Sequence, residues 1–229
     1  ITASSTATIY MYYGSSTASS TSNGLNTFGR HNFDNFENEV AGQQPFGSQW
    51  RKYAGNPITP TSHTWASVLK DGATYKMYYS VEGNLSYIGL KTSSDGKSWT
   101  DQGSVMSTGT LAEWDGNGIW VSVVWKEDTV YHMMYSGRSS SSVLQVGHAT
   151  SSNGTAWTKD SNNPVFNSQY SWAHNDTEGC FGLMKEDGIY YMWFNTLGGG
   201  SARSSGVATS SNLVNWTEYQ STAIFTDGR

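Results

Sequence analysis

A chain of 229 residues is long enough to bury a sizeable core and fits one domain, or one repeat array, better than two domains. With 13 Lys and Arg against 18 Asp and Glu, a net charge of -5 and no basic run, it lacks the electrostatic footprint of a nucleic-acid binder. No apolar run reaches the roughly 18 residues of a membrane-spanning helix, and 10 Trp and 14 Tyr in a Ser-, Thr-, Asn- and Gly-rich background read as an all-β, extracellular protein.

The chain is organised by a repeat, which is sought first because it decides the fold. It begins at Ile1 rather than an initiator methionine, so a processed product or a part of a longer protein is expected. "TATIYMYYG" (6–14) matches the second half of a pattern that recurs complete in "LKDGATYKMYYS" (69–80), "WKEDTVYHMMYS" (125–136) and "MKEDGIYYMWFN" (184–195). Met11, Met77, Met133 and Met192 align, 66, 56 and 59 residues apart. The acidic turn between alternating apolar and polar residues predicts a tight hairpin. A second motif follows, as "GLKTSSDGKSWT" (89–100), "GHATSSNGTAWT" (147–158) and "GVATSSNLVNWT" (206–217), with "FGRHNFDNFE" (28–37) a weaker counterpart. It predicts another hairpin, with Trp99, Trp157 and Trp216 wedged between units. The hooks "GNPIT", "GSVMS", "NPVFN" and "TAIFT" close the units.

Four short antiparallel strands recurring about every 55 residues fit the blades of a β-propeller better than a solenoid or a sandwich. The expected arrangement is a single propeller domain over 1–229, with an incomplete blade at 1–49 and blades at 50–113, 114–171 and 172–229. The N-terminal repeat starts at its second strand, Ile9–Tyr13, so the ring is either truncated or closed by another chain, and self-association through an unpaired blade edge is expected.

Single Cys180 excludes an internal disulfide and reads as a small buried apolar residue rather than a nucleophile. His31, His63, His132 and His148 are scattered and form no triad, and Gly198-Gly199-Gly200 has no helix after it that would make it a phosphate loop. Asn84, Asn153, Asn175 and Asn215 head Asn-X-Ser/Thr sequons. His174, Asp176 and Glu178 alternate along an extended segment and can share one face. That spacing suits a polar channel wall, a sugar-binding or acid group, or, less well because of the histidine, an oxygen-lined calcium site. Trp65, Trp114, Trp120 and Trp172 lie at or just before the inner strands, where aromatic faces stack on sugar rings or pack the fold. No cofactor is called for.

The inner strand, the "DG.YYM" turn and the "ATS.DG..W" hairpin resemble the five-bladed propellers of the furanosidase group, glycoside hydrolase family 43 and its relatives, over about residues 50–227. The first 40 residues separately resemble the tail of domain of unknown function 2341, which implies a module of a large secreted protein. The resemblance implies three inner-strand carboxylates, and the chemistry needs at least a pair, one to protonate the leaving oxygen and one to activate water or attack the sugar. Glu178-Gly179-Cys180 matches the acid motif, with Cys in place of Pro. Val123 stands where the second Asp belongs, and Trp65-Ala66 where the family has Asp-Pro. Asp115 and Asp176, upstream of inner strands, are the candidate substitutes. The sequence therefore supports an extracellular glycosidase-like module, non-catalytic, that binds polysaccharide or builds a surface assembly. The alternative is a furanosidase-type hydrolase or phosphorylase with Glu178 as general acid; a peptide-binding scaffold rests on fold class alone.

Overall fold

The structure, a computed structural model, describes residues 53–59, 63–170, 172, 177–197 and 203–226. The N-terminal repeat and its half-blade lie outside the described residues, as do His174 and Asp176. The blades below belong to one compact unit, Gly55–Arg229.

Three antiparallel blades follow one another. The first contains β1 (His63–Asp71), β2 (Thr74–Val81), β3 (Asn84–Ser93) and β4 (Thr100–Ser107) in sheet order. The second contains β5 (Ile119–Glu127), β6 (Val130–Arg138), β7 (Leu144–Ser151) and β8 (Thr158–Lys159). The third contains β9 (Thr177–Glu186), β10 (Ile189–Leu197), β11 (Arg203–Ser210) and β12 (Thr217–Glu218), and a short β13 (Phe225–Thr226) also pairs with β11. The apolar hooks complete the outer edges: β13 runs beside Ser204 and Ser205, and Phe166 bridges Val146 in the second blade.

The acidic turns join β1 to β2, β5 to β6 and β9 to β10, as the hairpin pattern requires. The second turns are built from side chains. The Oδ1 of Asp95, Asn153 and Asn212 each accepts two backbone N–H groups, from Lys97 and Ser98, Thr155 and Ala156, and Val214 and Asn215. An Asp or Asn side chain thus satisfies donors that no ladder strand can reach.

Each blade is apolar on both faces, so neighbouring blades bury one another. Tyr78, Ile88 and Leu90 of the first blade pack with Val124, Met133 and Ala149 of the second. Met134 and Val146 of the second pack with Met192, Phe194 and Ala208 of the third. Trp157 meets Tyr78 edge-on at 5.5 Å, and Trp216 packs against the second cluster, so both tryptophans sit between blades as their repeat position implies. Cys180 is buried in that second cluster, and burial pushes its thiol up to about 12, which fits an inert packing residue.

One contact recurs in all three blades. The aromatic ring of Tyr79, Tyr135 or Phe194 on the second strand lies over a glycine of the third, Gly89, Gly147 or Gly206. A Cβ there would stand 2.4, 2.7 and 2.5 Å from the ring. This close approach, rather than a special backbone angle, explains why the second motif of each of these three blades opens with glycine. Gly147→Ala is therefore expected to lower stability by about 1–3 kcal/mol through overpacking. Gly182→Ala, whose Cβ would meet nothing nearer than 3.7 Å, should stay within about 0.5 kcal/mol. Urea unfolding of the two variants checks the contrast.

Candidate functional site

The inner strands β1, β5 and β9 are neighbours, β1 packed on β5 and β5 on β9. None runs regularly. Extra residues fall between Thr64 and Ser67 on β1, between Val121 and Val123 on β5, and between Cys180 and Gly182 on β9. A second irregularity on β9 lies between Thr177 and Gly179, and the extra residue is Glu178. A bulge breaks the strict alternation of a strand and re-aims a side chain. It directs Glu178 into a cavity of about 340 Å³, lined also by Trp65, Trp120, Leu85, Arg138, Ser142 and Leu144.

The local sequence fixes that carboxylate from both sides. Thr177 is completely buried; its Oγ1 donates to Asn167 Oδ1 at 3.1 Å and accepts from the Ser168 N–H at 2.9 Å. After Glu178 the backbone presses onto the second blade, and a Cβ on Gly179 would lie 2.5 Å from Ser136 Oγ. Glu178 itself is only 8% exposed.

Trp65 and Trp120 stand 5.9 Å apart with their planes 34° from parallel. Trp65 is 44% exposed and sits at a φ of +44°, whereas Trp120 is 7% exposed, so the former is the free ring and the latter its support. A smaller hollow of about 200 Å³ shares the two rings and reaches Ser122, Gly179 and Phe181. Arg138 and Leu85 also line a polar cleft of about 390 Å³ with Asn84, Thr108 and Asn117, which continues the trough across the first and second blades. Arg138 is held there by its own backbone, which accepts from the Asn117 N–H at 2.9 Å and donates to Gly118 O at 2.8 Å.

The structure thus brings together Glu178, Trp65 and Trp120 and leaves three other candidates elsewhere. Asp115 is buried away from this cavity: Lys159 Nζ lies 2.6 Å from its Oδ2, Tyr135 OH donates to it at 3.2 Å, and Gly109 N donates to Oδ1 at 3.1 Å. Trp114 turns back onto its own blade, 5.5 Å from Tyr135 and against Gly137. Trp172 does the same in the third blade, stacked on Phe194 at 5.9 Å and 16°, with its indole N–H donating to Ser221 O. His174 and Asp176 lie outside the described residues. Among the described residues Glu178 is the one carboxylate lining this cavity. Val123 packs at the edge of the second core cluster.

Sequence reasoning missed Arg138, the last residue of β6, and the contact between two histidines that it read as scattered. His132 Nδ1 and His148 Nε2 are 3.1 Å apart, Trp125 stacks on His132, and Asp160 lies 3.5 Å from His148. The signal was their adjacency across β6 and β7, where Met134 faces His148 and Thr150 faces His132.

The solved structures most like this chain include fructan 1-exohydrolase IIa from Cichorium intybus, with a TM-score of 0.59 and 16% identity over 74% of this chain and 34% of that one. A family 117 glycoside hydrolase, Zg3597, from Zobellia galactanivorans aligns with a TM-score of 0.61 and 16% identity over 73% of this chain and 58% of that one. The family 32 β-fructofuranosidase of Bombyx mori aligns with a TM-score of 0.57 and 13% identity over 76% and 39%. This is the furanosidase-type propeller fold. The chain spans between about a third and three fifths of the length of these structures. Domain of unknown function 2341 matches residues 1–53. No curated protein matches the chain.

Two outcomes follow from these contacts. Asp115→Asn should cost about 2–3 kcal/mol, because it removes a charge-assisted hydrogen bond inside the second blade, and should leave ligand affinity unchanged; unfolding and binding titrations together check this. The His132 and His148 pKa values are lowered, chiefly by burial, so both are neutral in the folded chain at pH 7. The folded state then binds fewer protons than the unfolded one, and stability present above the ordinary histidine pKa is lost as pH falls below it. The melting temperature should drop between pH 7 and 5, and His148→Gln should flatten that drop.

Proposed function

We propose that the chain is an extracellular, glycosidase-like module that binds polysaccharide in the trough around Trp65 and does not hydrolyse it. The observation that carries this reading is one cavity holding an exposed tryptophan, a supporting tryptophan and a single carboxylate. An aromatic face offers a sugar ring a flat apolar partner, Glu178 and Arg138 offer hydrogen bonds to its hydroxyls, and the pair of carboxylates needed for hydrolysis is absent from the described lining. The similar structures are, by their names, a fructan exohydrolase, a glycoside hydrolase and a fructofuranosidase, which supports a glycan as the ligand class. No helix of the described residues is long and apolar enough to cross a membrane. In the extracellular setting the module also serves as a building block of a surface assembly.

Binding and hydrolysis are separable by titrating a panel of fructans, arabinans and mannans and assaying released reducing sugar in parallel. Affinity for at least one glycan is expected, lowered about tenfold or more by Trp65→Ala, in line with the loss of one stacking contact, with no sugar released. Release of sugar that Glu178→Gln abolishes would replace this reading with a hydrolase or phosphorylase using Glu178 as general acid.

A further inference from the structure

The same ionic clamp joins successive blades. Each acidic hairpin carries a cross-strand Lys–Tyr pair, Lys70 with Tyr75, Lys126 with Tyr131 and Lys185 with Tyr190, and the inner strand ends one residue later in an acid, Asp71, Glu127 or Glu186. The pair of one blade reaches back to the acid of the blade before it. Lys126 Nζ is 2.8 Å from Asp71 Oδ1, and Tyr131 OH donates to Asp71 Oδ2. Lys185 pairs with Glu127 Oε1, and Tyr190 OH donates to Glu127 Oε2 at 2.6 Å. These donors hold both carboxyls below the usual carboxylate range.

The clamp has two open ends. Glu186 is exposed and meets no Lys–Tyr pair among the described residues. No other described blade covers the apolar face beside it: Met184 is 43% exposed, and Trp193 is half-buried where Tyr78 and Met134, its counterparts, are fully buried by the next blade. At the other end Lys70 is exposed, its Nζ 5.3 Å above the Tyr75 ring, and no carboxylate answers it among the described residues. The N-terminal repeat carries Ser5 at the acid position, so its pattern supplies none.

We infer that the third blade docks on the first blade of a second copy of this chain, with Glu186 accepting from Lys70 and Tyr75 as Asp71 and Glu127 accept within the chain. The inference rests on the assembly half of the function proposed above and specifies its chemistry. The two surfaces are complementary in charge and reproduce a contact already formed twice, which makes the association head-to-tail.

Charge reversal tests it, since both residues are exposed and neither variant disturbs a core. Mass is measured by analytical ultracentrifugation over a concentration series for the full chain, Glu186→Lys and Lys70→Glu, with circular dichroism to show that each is folded. The full chain is expected to associate, each variant alone to need about tenfold or more higher concentration because like charges then meet, and an equimolar mixture of the two variants to regain association. Association of the full chain that neither reversal weakens overturns the clamp and leaves assembly through another surface. A full chain that stays monomeric overturns both the clamp and the assembly reading.

Discussion

Everything in this protein depends on the need of a small, two-faced apolar sheet for cover. A four-stranded blade of short strands carries core residues on both sides, and alone it would leave both faces in water. Stacking blades solves this by burying Tyr78, Val124 and Met133 at one junction and Met134, Met192 and Phe194 at the next. The ions follow the hydrophobic contact rather than lead it. Asp71 and Glu127 sit at the rim of the junctions, partly in water, where an ion pair contributes little stability and much registration.

The candidate site is a by-product of how the inner strands meet. The three inner strands pack side by side, and each departs from regular pairing by at least one extra residue. On β9 that accommodation turns Glu178 from the sheet into the cavity, and Gly179 is the residue that lets the backbone lean on Ser136 to do so. The carboxylate's orientation therefore belongs to the architecture, whereas its chemical partners belong to individual side chains. At Trp65 and Val123 the inner strands carry apolar side chains.

Periodicity made the hairpins legible in the sequence, along with the interblade tryptophans and the hooks, because each depends on local turn chemistry or on a pattern copied three times; the burial of Cys180 was legible from residue type alone. What escaped were features that depend on side-chain direction. Trp114 and Trp172 precede inner strands and look like channel-mouth residues, yet each ring turns back to lie on Tyr135 or Phe194, where neighbouring glycines leave a seat. Asp115, one residue further on, follows the same turn inward to Lys159. His132 and His148 are 16 residues apart in the chain and in contact across two strands, a diagonal pairing that spacing alone does not disclose.

The ring-over-glycine contact makes two positions behave as a single evolutionary character. Enlarging the glycine produces a collision and shrinking the ring a hole, so neither can drift while its partner stays. Within this one chain the freedom left over is visible. Phe194 lacks the hydroxyl of Tyr79 and Tyr135, and with it a hydrogen bond to a neighbouring side chain, while the ring and its glycine are present in all three described blades. The polar outfit of a blade can be exchanged by single steps; its steric skeleton changes only in pairs.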